Sequence, residues 1–322
     1  MIQQNQEYLK MEFDIEMNIM TTNQTLSTLS QRIFTVMETV LKSKPFDYIV
    51  VQGDTSTAAL TSLVAFYNKL KIVHVEAGLR SGDAYSPFPE EVNRKIISII
   101  ASYHFAPTVH AGRNLKKEGI TNNVYVTGNT IVDTLSIVKR TLPKSKKTNT
   151  VLITAHRRES FGEPMKNICK AIRRLAVANR QFEFVYPVHL NPNVREVAHS
   201  LLSNIPNVRL IEPLNYFDFL QLLKKAYLII SDSGGVQEEA PSFHTPVIVI
   251  RDVTERMELI KAKGGILVGT NENRIFTVAN RLLNGKKIYQ SMINIQNPFG
   301  DGKASKRIAK ILLDNFNPGE NH

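Results

Sequence analysis

A short apolar run that ends in Ser-Asp-Ser-Gly-Gly and leads straight into an acidic helix constrains this chain most. Leu228–Ile230, bounded by Ser231 and Asp232, reads as a buried parallel strand. Ser233, Gly234 and Gly235 follow, and glycine permits a sharp turn and a close backbone approach to a ligand. A helix is predicted from about Val236, with Glu238 and Glu239 in its first turns. Pro246–Ile250 is a second apolar run, so the unit is strand, glycine turn, helix, strand. Open N–H groups at such a helix start favour an anion, typically a phosphate. Two adjacent carboxylates point instead to a ligand with hydroxyl as well as phosphate groups, such as a nucleotide sugar. Alone, a Ser-Gly-Gly turn is as often a structural turn as a binding site.

The same alternation runs along the chain. Leu26, Leu29, Ile33, Val36 and Val40 recur at helical spacing, so 25–41 is an amphipathic helix. Strands are predicted at 48–51, 72–75, 103–106 and 124–126, with helices between them. After a basic stretch around Pro143, strands at 151–154, 184–187, 208–211 and 265–268 alternate with helices in the same way. This pattern predicts two parallel α/β domains, with ligands beyond the strand C-terminal ends. The boundaries fall at 1–145 and 146–302, with a last helix in 303–322 crossing back to the first domain. The first domain begins with a helix and has only about four strands, so one strand is expected to lack a neighbour.

The chain has 322 residues, enough for two domains, and 43% hydrophobic residues, ordinary for a globular protein. No apolar run reaches the ~18–20 residues that span a bilayer. The opening 17 residues have no apolar core of a secretory signal, so a cytoplasmic location is expected and no membrane partner. The lone Cys169 rules out an internal disulfide and lies on an apolar helical pattern, as a packed thiol does. A net charge of +11 would suit a polyanion. Yet Lys139, Arg140, Lys144, Lys146 and Lys147 have no interleaved aromatics, and no nucleic-acid-binding signature accompanies them. A solvated linker is expected there, and no nucleic-acid partner.

Titratable groups end successive strands: Asp54, Glu76 and His156, with Glu90 at a helix start close behind Glu76. Three carboxylates and a histidine suit acid–base chemistry on two faces of a substrate. Each also has a plainer role open to it. Asp54 would cap the following helix, Glu90 would serve the helix dipole, and His156 would anchor a turn with Arg157 and Arg158. Scattered histidines and the absence of HExxH or a cysteine pair predict no metal. With neither GxGxxG, GxxxxGK[ST] nor GxSxG, no cofactor is expected.

In order along the chain stand GDTST (53–57), HVEAGLRSGD (74–83), PFPEEVNR (87–94), TGNTIVD (127–133), HRRESFG (156–162), YPVHLNPNV (186–194), SDSGGVQEEAP (231–241) and RDVTER (251–256). This set closely resembles the non-hydrolysing bacterial UDP-N-acetylglucosamine 2-epimerases, over nearly the whole chain. The resemblance implies two Rossmann-like domains of the GT-B type, an active site in the interdomain cleft, and a homodimer. It implies interconversion of UDP-N-acetylglucosamine (UDP-GlcNAc) and UDP-N-acetylmannosamine (UDP-ManNAc), for cell-surface polysaccharide precursors. UDP would be eliminated as the C2 proton leaves, then re-added after C2 is protonated from the opposite face. By the same resemblance Asp54, Glu76 and Glu90 are the acid–base carboxylates, and His156 lies beside the leaving diphosphate. Ser233, Gly234 and Gly235 hold that diphosphate, and Glu239 holds the ribose hydroxyls. Arg256 contacts the nucleotide. Leu214 lies by the uracil through its backbone and Phe219 through packing. Arg157 and His189 are candidates for a neighbouring effector site.

The family's opening strand and GTRPE-type turn have no match here, so the first β–α–β portion is expected to be absent and the N-terminal domain incomplete. That predicts open backbone groups on a neighbouring strand and a chain unstable or inactive by itself. Other readings are a non-catalytic UDP-sugar-binding remnant, the same chemistry on a related UDP-sugar, a hydrolysing 2-epimerase and a glycosyltransferase.

Overall fold

The computed structural model describes residues 12–21 and 24–316. Most of the opening segment weighed above as a signal lies outside them. Along the chain come α1 (Leu26–Ser43), β1 (Tyr48–Gln52), α2 (Ser56–Tyr67), β2 (Lys71–Val75), α3 (Glu90–Ile100), β3 (Tyr103–Ala106), α4 (Val109–Lys117), β4 (Val124–Val126) and α5 (Thr130–Thr141). Then follow β5 (Thr150–Thr154), α6 (Glu163–Ala178), β6 (Glu183–Pro187), α7 (Pro192–Leu202), β7 (Val208–Ile211), α8 (Tyr216–Lys225), β8 (Leu228–Ser231) and α9 (Gly234–Glu239). The chain ends with β9 (Val247–Val249), α10 (Met257–Lys261), β10 (Gly265–Leu267), α11 (Glu272–Asn284), α12 (Lys286–Ile293) and α13 (Ala304–Asp314).

The described residues divide into two compact units, one of residues 12–133 with 299–316 and one of residues 134–298. The division falls inside α5 rather than at residue 145, and the chain re-enters the first unit at Phe299. The first unit has a parallel sheet in the order β1-β2-β3-β4. Its middle strands are buried on both faces, as parallel strands under helices are. Ile49, Val51, Ala58, Ile72 and Ile97 form one core. Val73, Val75, Tyr103 and Phe105 form another, closed by Ile308 of α13. Among the described residues β1 has a neighbour on one side only, and Val50 on it is exposed.

The second unit has a six-stranded parallel sheet in the order β10-β9-β8-β5-β6-β7. Every residue of β5 and β8 is buried, which accounts for their unbroken apolar runs. Cys169 packs in this core on α6, and burial pushes its thiol up to about 12, so it stays an inert thiol.

The basic stretch is not a merely solvated linker. Lys139 donates to the Ser242 carbonyl and lies 5.0 Å from the Phe243 ring. Lys147 donates to the Ala226 carbonyl at 2.8 Å and to Thr245 Oγ1, and burial brings its pKa down to about 8. Lys147 thus supplies a donor to the carbonyl of the buried Ala226.

Candidate functional site

Asp54 and Glu76 leave adjacent strands at one rim. Gln52 of β1 lies opposite Val75 of β2, so both acids project just past the ends of paired strands. Gly53 turns the chain there with φ +73°. Its N–H donates to the Val75 carbonyl at 3.0 Å, and its own carbonyl lies 2.9 Å from His74 Nε2. Burial lowers the His74 pKa to about 4, so the ring is neutral and donates through Nε2. Glu76 itself has φ +66°, a left-handed backbone that is uncommon outside glycine. Such a conformation costs about 1–3 kcal/mol and persists where neighbours enforce it, often at functional sites.

Glu90 opens α3, whose Pro89 N-cap supplies no side-chain bond. Its Oε2 is buried with no hydrogen-bond partner among the described residues. Behind it, Arg94 organises the rim. Arg94 Nε donates to Asp54 Oδ2 at 2.9 Å and Nη1 to Glu91 Oε2 at 2.9 Å. Glu91 is fully buried and also accepts the Ser81 N–H at 2.9 Å, which holds the loop before α3. Asn93 Nδ2 donates to the Asp54 carbonyl at 2.8 Å. Asp54 therefore does not cap the helix after it. Thr55 does, its Oγ1 accepting from Ala58 N at 3.1 Å.

In the second unit β8, β5 and β6 are neighbours, so Ser233, His156 and His189 follow adjacent strand ends. His156 stacks on His189 with ring centroids 5.4 Å apart. The turn that carries His156 is anchored by Asp232, which is fully buried. Asp232 Oδ2 accepts the backbone N–H of His156 at 2.7 Å and of Arg157 at 2.8 Å. Burial lowers the His156 pKa, and the Asp232 carboxylate opposes that shift.

Helix α9 starts at Gly234, two residues earlier than its sequence pattern predicts, because Ser233 caps it by accepting from Val236 N at 3.4 Å. Gly234 lets the guanidinium of Arg256 lie close against the turn. A Cβ there would lie 3.0 Å from Arg256 Cζ. Arg256, expected as a nucleotide contact, gives Nε to Glu238 at 2.9 Å and Nη1 to Glu255 at 2.5 Å. Burial works to raise the Glu255 pKa, but Arg256 and Arg251 overcome it and hold it at about 2. Glu238 is thus used inside the protein, and of the two helix acids Glu239 is the one with room for another role. Glu239 accepts from the Tyr216 hydroxyl at 2.9 Å, and burial raises its pKa to about 7 against that hydrogen bond. Leu214 precedes α8 and Phe219 lies on it, both half-buried.

Arg94, Glu91, Asp232 and Tyr216 were not singled out from sequence. The one local signal was the Glu91–Arg94 spacing, which places both on one helix face. A cavity of about 290 Å³ lined by Asn167, Asp252, Thr270, Asn271 and Arg274 contains none of the expected site residues. Among the described residues no group of three His, Cys, Asp or Glu could hold a metal, and no helix is long and apolar enough to cross a membrane.

These features define a two-unit parallel α/β protein with acidic groups at the strand ends of one unit and an Asp-Ser-Gly-Gly turn at those of the other. The profile of the UDP-N-acetylglucosamine 2-epimerase family matches residues 1–313, and the chain belongs to that family. It is 45% identical to the UDP-N-acetylglucosamine 2-epimerase of Bacillus subtilis 168, over 96% of this chain and 83% of that protein. It is 42% identical to the enzyme of that name from Escherichia coli K12, over 94% of this chain and 85% of that one. The crystal structure of UDP-GlcNAc 2-epimerase from Neisseria meningitidis, bound to UDP-GlcNAc, superposes with a TM-score of 0.92 at 42% identity. That match covers 98% of this chain and 89% of the other. The fold class is the GT-B-like one of these structures. The matches support the family and give no support to an absent opening portion.

Proposed function

We propose that this chain is an isomerase, a UDP-N-acetylglucosamine 2-epimerase that reversibly converts UDP-GlcNAc to UDP-ManNAc. Family membership at 42–45% identity to named epimerases supports it. The observation that carries the chemistry is that Asp54 and Glu76 follow the ends of paired strands, and that Glu90 opens the helix whose Asn93 and Arg94 hold Asp54. C2 of the sugar is not next to a carbonyl, so its C–H bond has no easy carbanion route. Expulsion of UDP solves this. A carboxylate takes the C2 proton, the C–H electron pair forms the C1=C2 bond, and the C1–O bond breaks. Protonation at C2 from the other face and return of UDP to C1 give the epimer. Glu90, with a buried unpartnered oxygen, and the strained Glu76 are well suited to a step in which a proton changes hands.

The second unit holds UDP in this reading. Ser233, Gly234 and Gly235 bind the diphosphate, with His156 beside it. Glu239 accepts the ribose hydroxyls, Phe219 packs on the uracil, and the Leu214 backbone reads its edge. Arg256 shapes the glycine turn from behind and borders the nucleotide. Arg157 and His189 flank the diphosphate, where an effector nucleotide sugar would bind. The protein acts in the cytoplasm as a homodimer on precursors of surface polysaccharide.

Incubation with UDP-GlcNAc in D2O tests this. The expected result is UDP-ManNAc, with one solvent deuteron at C2 in both sugars. UDP binding with no deuterium at C2 would leave a binding protein, and accumulation of free ManNAc and UDP would make it a hydrolysing enzyme.

A further inference from the structure

Asp232 is not explained by phosphate binding, because it places a buried negative charge next to a turn suited to a diphosphate. Its Oδ2 accepts the N–H groups of His156 and Arg157, and Arg157 Nε donates to its backbone carbonyl at 3.1 Å. A clamp on the turn needs only that oxygen. Oδ1 is buried, accepts no hydrogen bond among the described residues, and lies 3.7 Å from His156 Nδ1. Leaving a charged acceptor open inside a protein is costly. A small rotation of the imidazole would close the gap.

We propose that Asp232 is a positioning residue for His156. Oδ2 fixes the backbone of the histidine turn, and Oδ1 faces Nδ1 so that the ring keeps a proton there and can carry a second on Nε2 toward the departing diphosphate. Three groups bear on the ring: Asp232 from the end of β8, His189 stacked from the segment after β6, and Arg157 from its own turn. Burial, His189 and Arg157 all disfavour the charged imidazole, and Asp232 alone favours it. As UDP leaves, the C1–O bond pair passes to the diphosphate oxygen, and a cation there offsets the new charge.

This assignment rests on the proposed role of His156, and its test separates the two. NMR of the ring carbons and nitrogens, with His156→Gln to identify the signals, reads the imidazole without substrate. In the unsubstituted protein the neutral ring is expected as the Nδ1–H tautomer. In Asp232→Asn the amide oxygen still accepts both N–H groups while the charge is gone. The His156 pKa is then expected to fall by about 1, a tenfold loss of imidazolium at neutral pH. The alkaline limb of kcat/KM for UDP-GlcNAc should move down by the same amount. That added shift should vanish in the His156→Gln background. A bare Nδ1 in the unsubstituted protein, or an unchanged His156 pKa in Asp232→Asn, would overturn the assignment. Absence of epimerisation with the NMR result intact would overturn the function and leave the Asp232–His156 pair standing.

Discussion

Both units end their strands in acids, but they hold them in opposite ways. In the first unit Asp54 and Glu76 are half-buried at the rim, and one arginine, Arg94, braces Asp54 against α3. In the second unit Asp232, Glu238, Glu239 and Glu255 are all buried, and each is tied to a turn, a hydroxyl or a guanidinium. Partly open acids can meet a substrate and exchange protons. Buried acids fix backbone and define a rigid surface for a nucleotide. The contrast suggests a division of labour, with proton chemistry in one unit and recognition in the other.

Glu76→Gln should break the chemistry and leave recognition intact. Removing an acid–base group costs about 10²–10⁴ in rate. We expect kcat to fall by that range for Glu76→Gln and Asp54→Asn, with the Kd for UDP by calorimetry within about twofold of the unsubstituted protein. A comparable loss of UDP affinity would erase the division.

Arg94→Met tests what braces the first rim. It leaves Glu91, fully buried, without its cation. Removing one partner of such a buried pair costs about 3–5 kcal/mol. The unfolding midpoint in urea should drop accordingly. If it stays put, the pair is not the brace.

Glu239 sharpens the contrast through pH. Its pKa in the fold is about 7, against 4.5 for an ordinary glutamate. An acid whose folded pKa is raised favours the fold most below the unfolded value, and that stability is lost as pH rises through the folded one. Stability should therefore decline between about pH 4.5 and 7, by roughly 3 kcal/mol for this group. Glu239→Gln should flatten that slope in urea melts at pH 5 and pH 8. An unchanged slope would mean that Glu239 is ionised throughout and that Tyr216 alone stabilises its charge.

Much of this was legible in sequence because it is local. The strand and helix alternation is written in short apolar runs, and the rim position of Asp54, Glu76, His156 and Ser233 follows from their place after such runs. What stayed hidden is tertiary. Sheet order sets β5 beside β8, so Asp232 clamps a turn 75 residues away in the chain. Arg94 reaches Asp54 across 40 residues, and Tyr216 reaches Glu239 across 23. Helix α7 has no range in the sequence pattern beyond the alternation of strands and helices itself. In the fold Asn191 caps it and Pro192 takes the first position, where proline's missing N–H is no loss. Arg256, placed at the nucleotide by resemblance, also donates to Glu238 across 18 residues, a contact that no local pattern shows.

The smallest expected effect compares two caps at equivalent places. Thr55 and Ser233 each follow a strand end and cap the next helix, at 3.1 and 3.4 Å. Thr55 serves the 12-residue α2, whose Ala58, Ala59 and Ala65 pack in the core of the first unit. Thr55→Ala should cost about 1 kcal/mol of stability, with the Kd for UDP unchanged. Helix α9 has only 6 residues, and its cap bond is long, so Ser233→Ala should cost less stability than that. On the proposed function it should nonetheless weaken UDP binding severalfold, since that reading places the lost hydroxyl at the diphosphate. Equal effects on melting and no effect on UDP would make Ser233 an ordinary cap and return its turn to a structural role.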